Sequence, residues 1–123
     1  MRILFAEDMV DMAATLCEVL HNRYPILRID WLSDGDVAFK EFENHKYDLV
    51  ITDLNMERKD GVWLAQKIRE TNKSIPIILW TASIDLPNNG PLLFNRIVSN
   101  KDFLTAAETC DIYYRRWEDS KDV

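Results

Sequence analysis

Tyr47-Asp48-Leu49-Val50-Ile51-Thr52-Asp53-Leu54-Asn55-Met56 begins as a run of apolar and β-branched residues and breaks at an acid. A short continuous apolar run fits a strand buried on both faces of a parallel sheet better than a helix, whose apolar residues recur at three and four. We read Tyr47 to Thr52 as a strand with Asp53 at its carboxyl end. The same pattern extends outward. Arg2 to Ala6 runs into Glu7-Asp8, the segment bearing Ile26, Leu27, Ile29 and Trp31 runs into Ser33-Asp34-Gly35, and Ile75 to Trp80 runs into Thr81. Arg96 to Ser99 makes a last strand, with Lys101 a few residues beyond.

Between these strands the apolar period changes to that of a helix. Val10, Ala13, Leu16, Cys17 and Leu20 share one stripe closed by Tyr24-Pro25, and Ala38, Phe39 and Phe42 follow the Ser33-Asp34-Gly35 turn. Leu64, Ala65 and Ile68 follow Asp60-Gly61, and Phe103, Ala107, Cys110, Tyr114 and Trp117 line a final helix capped by Asp102 or Asn100. Pro87-Asn88-Asn89-Gly90-Pro91 breaks the fourth crossover, which leaves a turn or two of helix around Leu92 to Phe94. Five strand-helix units predict an α/β domain, doubly wound, with a parallel sheet covered on both faces. Ligands of such sheets gather beyond the carboxyl ends of the strands, where strand order reverses. If the order is 2-1-3-4-5, Asp8 and Asp53 become neighbours although they lie 45 positions apart.

The composition sets outer bounds. A chain of 123 residues, 47% hydrophobic and 29% charged, suits one domain, which we take as residues 1–118 with a polar, frayed tail at 119–123. The apolar runs are too short to span a membrane and no signal segment opens the chain, so a cytoplasmic location is expected. Lys plus Arg number 15 against 21 Asp plus Glu, a net charge of -6 that opposes direct binding of nucleic acid. Cys17 and Cys110 fall on helical stripes and read as core thiols, and His21 and His45 have no ligand partners at metal spacing. Trp31, Trp63, Trp80 and Trp117 read as packing residues.

The acids at the strand ends carry the chemistry. Two unit charges about 4 Å apart repel by roughly 4 kcal/mol at an effective dielectric near 20, so a cleft that gathers Glu7, Asp8 and Asp53 calls for a cation. Oxygen ligands without His or Cys suit a hard ion, Mg²⁺ or Mn²⁺, that shares its coordination with phosphate oxygens. Lys101 adds a mobile positive charge and Thr81 a hydroxyl donor. These are the parts of a phosphoryl-transfer site.

At these residues the sequence resembles the receiver domains of two-component response regulators. The resemblance runs through Ile3-Leu4-Phe5-Ala6-Glu7-Asp8, Ser33-Asp34-Gly35, the 47–56 stretch, Asp60-Gly61, Trp80-Thr81-Ala82 and Lys101. It implies a flavodoxin-like fold with Asp53 as acceptor of a phosphoryl group from a phosphohistidine on a sensor histidine kinase or a histidine phosphotransfer protein. Glu7, Asp8, Asp53 and the backbone carbonyl of Asn55 would then hold the metal, with Thr81 and Lys101 binding the phosphoryl oxygens. The domain would assist its own phosphorylation and dephosphorylation rather than act as an enzyme on a separate substrate. Its signal would pass to a downstream protein or to an effector domain absent from this sequence.

Three positions depart from that pattern. Asp102 stands where the family has proline after the lysine, often joined by a cis peptide; here a trans bond is expected, with Asp102 either a further cleft carboxylate or the cap of the last helix. Glu57 replaces a loop proline, and Val98 replaces the usual aromatic switch residue, so the response to phosphorylation is expected in the loops after Asp53 and Thr81. The competing reading is a pseudo-receiver, a protein-interaction module that works without phosphorylation.

Overall fold

Successive side chains of a strand point to opposite faces of its sheet, and this alternation divides the core in two. The computed structural model describes residues 1–121, in which β1 (Arg2–Ala6), β2 (Arg28–Leu32), β3 (Leu49–Thr52), β4 (Ile77–Trp80) and β5 (Arg96–Val98) form one sheet of order β2-β1-β3-β4-β5. Every pairing is parallel, and Ile3 to Ala6 of β1 lie in register with Leu49 to Thr52 of β3. Ile3, Phe5, Leu49, Ile51, Ile78 and Trp80 face α1 (Val10–Arg23) and α5 (Phe103–Ser120). Leu4, Ala6, Val50, Ile77 and Leu79 face α2 (Gly35–Asn44), α3 (Gly61–Thr71) and α4 (Gly90–Leu93). The doubly wound fold expected from the sequence is therefore the fold of the chain.

Ala13, Leu16 and Leu20 of α1 and Leu64, Ala65 and Ile68 of α3 are buried as their spacing predicts, whereas Val10, at the head of the α1 stripe, is exposed. α4 keeps four residues, as its breaker-rich approach implies. β2, β3 and β4 each begin two residues later than their apolar runs: Ile26 at the head of the first is exposed, whereas Tyr47 and Ile75 at the heads of the other two are buried outside the strands. Ile75 is buried, yet its N–H goes to the Asn72 side chain at 2.9 Å instead of a neighbouring strand. Asp102, not Asn100, caps α5, and its carboxylate accepts N–H bonds from Leu104 at 3.0 Å and Thr105 at 3.4 Å. That role takes it out of the cleft. α5 continues to Ser120, past the start of the expected tail, because Ser120 Oγ bonds back to the Trp117 carbonyl; Asp122 and Val123 lie outside the described residues.

Arg23 holds Asp111 of α5 through two bonds of 2.8 and 2.7 Å, with the Tyr24 hydroxyl on the same carboxylate and the Tyr24 ring stacked on Tyr114. Both cysteines are free thiols, and burial pushes Cys110 up to about 12, which leaves it unreactive. Among the described residues no helix is long and apolar enough to cross a membrane.

Leu64 lies fully buried between α3 and the sheet, so Leu64→Ala removes contacts that the surrounding backbone cannot close over. A loss of about 2–5 kcal/mol is expected, read as a lower urea midpoint with an unchanged slope.

Candidate functional site

Four strands end at the same edge of the sheet, and each delivers a polar side chain there. Backbone bonds set their heights: Glu7 N–H donates to Leu32, Asp53 N–H to Ala6 and Thr81 N–H to Val98, each at 3.0 Å. Glu7, Asp8 and Asp53 thereby offer carboxylate oxygens that all lie within 4.8 Å of one another. Lys101 arrives from the short turn Ser99–Lys101 after β5. Its Nζ reaches Glu7 Oε1 at 2.5 Å and Asp53 Oδ2 at 3.1 Å. A cleft of about 240 Å³ opens above, lined by Asp8, Asp53, Asn55, Thr81 and Lys101 among others. Of the six residues that the sequence assigns to the metal and the phosphoryl group, Glu7 alone does not line it and lies wholly buried.

The electrostatics follow from that burial. Desolvation pushes Glu7 up to about 7 even though the bond from Lys101 and the Met9 N–H favour its charged form. Burial alone would lower Lys101, but its bonds to Glu7 and Asp53 outweigh this and hold it above the ordinary lysine range. Asp53 has one oxygen fixed, since Oδ1 accepts the Leu54 N–H at 2.7 Å. Thr81 Oγ1 accepts the Ser83 N–H at 3.0 Å, which leaves the hydroxyl proton free to point into the cleft. The donor set fits a hard divalent cation: oxygen ligands, excess negative charge and no His or Cys in the cluster.

The loop after β3 owes its course to two glycines. A Cβ on Gly61 would sit 2.1 Å from the Asp53 carbonyl oxygen, and one on Gly35 would sit 2.5 Å from the Lys59 carbonyl oxygen. The motifs Asp60-Gly61 and Asp34-Gly35 are thus packing requirements for the acidic loop. The turn carrying Lys101 is unusual in another way. All peptides among the described residues are trans, and Asn100 and Lys101 take positive φ of 59° and 46°. Left-handed backbone costs about 1–2 kcal/mol for an ordinary L-residue, tolerable at Asn but adverse at Lys. Two tryptophans that the sequence marks only as packing touch this machinery: Trp31 Nε1 donates to the Glu7 carbonyl at 2.7 Å, and Trp80 lies beneath Lys101. Their indole N–H groups were the available signal, because a buried donor needs an acceptor.

The sequence profile of the response regulator receiver domain matches residues 3–97. The chain belongs to this family of two-component receiver domains. Across 82 residues the receiver is 40% identical to the transcriptional regulatory protein RprY of Bacteroides fragilis, a match covering 67% of this chain and 34% of that protein. It is 34% identical over 84 residues to the response regulator RppA of Synechocystis, covering 67% and 35% respectively. The receiver thus spans about a third of the curated relatives it first matches. Among solved structures, the response regulator TrrA of Thermotoga maritima in complex with Mg²⁺ and BeF superposes with TM-score 0.80 at 30% identity, over 91% of this chain and 97% of that one. TrrA has also been solved in complex with the histidine kinase ThkA, again at TM-score 0.80, with 29% identity over the same shares.

The Glu7 shift has a sign that can be read. A carboxyl raised from 4.5 to about 7 on folding holds its proton better in the folded state, so the metal-free receiver loses stability as pH rises between those values. Melting should fall between about pH 5 and about pH 8, and Glu7→Gln should flatten that fall. Equal slopes for the two proteins would contradict the burial effect.

Proposed function

We propose that the receiver takes a phosphoryl group on Asp53 from a phosphohistidine of a sensor histidine kinase or histidine phosphotransfer protein, and that Mg²⁺ or Mn²⁺ assists the transfer. The observation that carries this reading is the placement of Asp53: a nearly buried carboxylate, one oxygen pinned by a backbone N–H and the other 3.1 Å from an ammonium, on the floor of an acidic cleft. Glu7, Asp8, Asp53 and the Asn55 carbonyl would hold the ion, which when bound neutralises charge on the transferring oxygens.

The chain's own groups do the positioning. A carboxylate oxygen of Asp53 attacks phosphorus as the P–N bond to the donor imidazole breaks, and the imidazole leaves with the bonding pair. Lys101 follows the charge from Asp53 onto the new phosphoryl oxygens, and the free Thr81 hydroxyl donates to another. The receiver is then a phosphoacceptor that assists its own loading and unloading rather than a turnover enzyme. Its place is the cytoplasm, and its output goes to a protein partner or an attached effector domain, without contact between this acidic domain and nucleic acid.

Val98 is buried and packs in the core, so it has no large ring to move between inside and outside. The response should therefore appear in the loops that follow Asp53 and Thr81. On loading, amide exchange is expected to slow across residues 54–60 and 82–89, and a change confined to the neighbourhood of Val98 would contradict this. The acceptor itself is tested by intact mass after incubation with Mg²⁺ and acetyl phosphate. One phosphoryl adduct on wild type, absent for Asp53→Asn and absent without the metal, is expected. No adduct under these conditions would leave the phosphorylation-independent interaction module.

A further inference from the structure

We propose that Trp80 is the positioning residue that holds Lys101 at the phosphoryl site, in place of a proline after the lysine. The inference rests on the phosphoacceptor reading of Asp53 and extends it to a buried side chain outside the cleft. The turn from Val98 to Asp102 must keep two consecutive left-handed residues, Asn100 and Lys101, the second of which is neither Gly nor Asn. Something outside the turn has to hold that backbone, and Trp80-Thr81 meets it at three points. Thr81 N–H donates to the Val98 carbonyl at 3.0 Å, where the turn begins. Lys101 N–H donates to the Thr81 carbonyl at 3.1 Å, at its middle. Trp80 Nε1 donates to the Asp102 carbonyl at 3.3 Å, where it ends.

The same indole also addresses the reactive end of the lysine. Lys101 Nζ stands 5.4 Å from the Trp80 ring centroid, within the range at which an ammonium is drawn to an aromatic face. Trp80 itself cannot drift. It is fully buried, with Phe5 edge-on at 5.9 Å and Phe103 tilted against it at 5.4 Å. A rigid ring therefore supports the turn through its N–H and the ammonium through its face. Because Thr81 directly follows Trp80 at the end of β4, the two groups assigned to the phosphoryl oxygens share one support.

Acetyl phosphate and Mg²⁺ are supplied to wild type, Trp80→Phe, Lys101→Ala and the double variant, and uptake is followed by intact mass across donor concentrations. Phe keeps an aromatic face and loses the N–H. For Trp80→Phe the maximal rate is expected to fall about tenfold, with half-saturation moved less than about twofold. In the Lys101→Ala background the same substitution is expected to add less than about twofold. A folded Trp80→Phe with the wild-type rate overturns the proposal, as does an equal fall in both backgrounds, which marks a general packing defect. Wild type that takes no phosphoryl group defeats the phosphoacceptor reading first, and is seen before any variant is compared. If Trp80→Phe does not fold, isotope-labelled tryptophan in the full chain decides by nuclear magnetic resonance. Lys101→Ala is expected to displace the Trp80 indole N–H signal more than those of Trp31, Trp63 and Trp117, and an unmoved signal overturns the proposal.

Discussion

Glu7, Asp8 and Asp53 bring carboxylate oxygens within 4.8 Å of one another at one end of the sheet, and the Lys101 ammonium, bonded to two of the three residues, offsets their repulsion. At roughly 4 kcal/mol for a pair of like charges about 4 Å apart, the cluster is a standing load on the fold. Burial adds to it and raises Glu7, the most buried of the three acids. An added cation relieves the same load. Stability and reactivity are thus two readings of one electrostatic imbalance, and the neighbouring loops are arranged around it.

That arrangement was legible in the sequence to the extent that it depends on period and position. The alternation of apolar runs with helical stripes specified the doubly wound sheet, and the polar residues past four of the five runs lie together at one edge, while Asp34 after the other caps α2. Strand starts were less legible, because Ile75 and Tyr47 are buried as strand residues are but spend their polar groups elsewhere. Asp102 left two roles open, and the N–H groups of Leu104 and Thr105 settle it as a cap. The indole contacts of Trp31 and Trp80 were only half legible, since each indole N–H calls for an acceptor but gives no sign of which one it will meet.

The fourth crossover shows how local chemistry reshapes a conserved plan. With α4 reduced to Gly90–Leu93, Arg69 of α3 takes up the backbone groups around it, donating to the carbonyls of Leu93, Asn72 and Ile75 and to the Asn95 side chain. A cavity of about 530 Å³ lies beside this guanidinium, whose donors face those acceptors. It is a structural joint that shares no lining residue with the acidic cleft. Leu92 and Ile84 remain exposed nearby, where a longer helix would have turned some of its residues inward.

The bond between Lys101 and Glu7 joins residues 94 positions apart, and the acidic pair of β1 meets Asp53 only when β1 and β3 have paired across a whole strand-helix unit. Parallel pairing over such separations is among the slower steps of folding, because the loop-closure entropy comes before the contacts that reward it. The three carboxylates come together only once β1 and β3 pair, and Lys101 joins them only once β4 and β5 have been added. A nascent or partly unfolded chain carries the same acids as a dispersed, well-hydrated set with little hold on a cation. The charge-dense edge is thus a property of the paired strands and of none of the chain's segments alone.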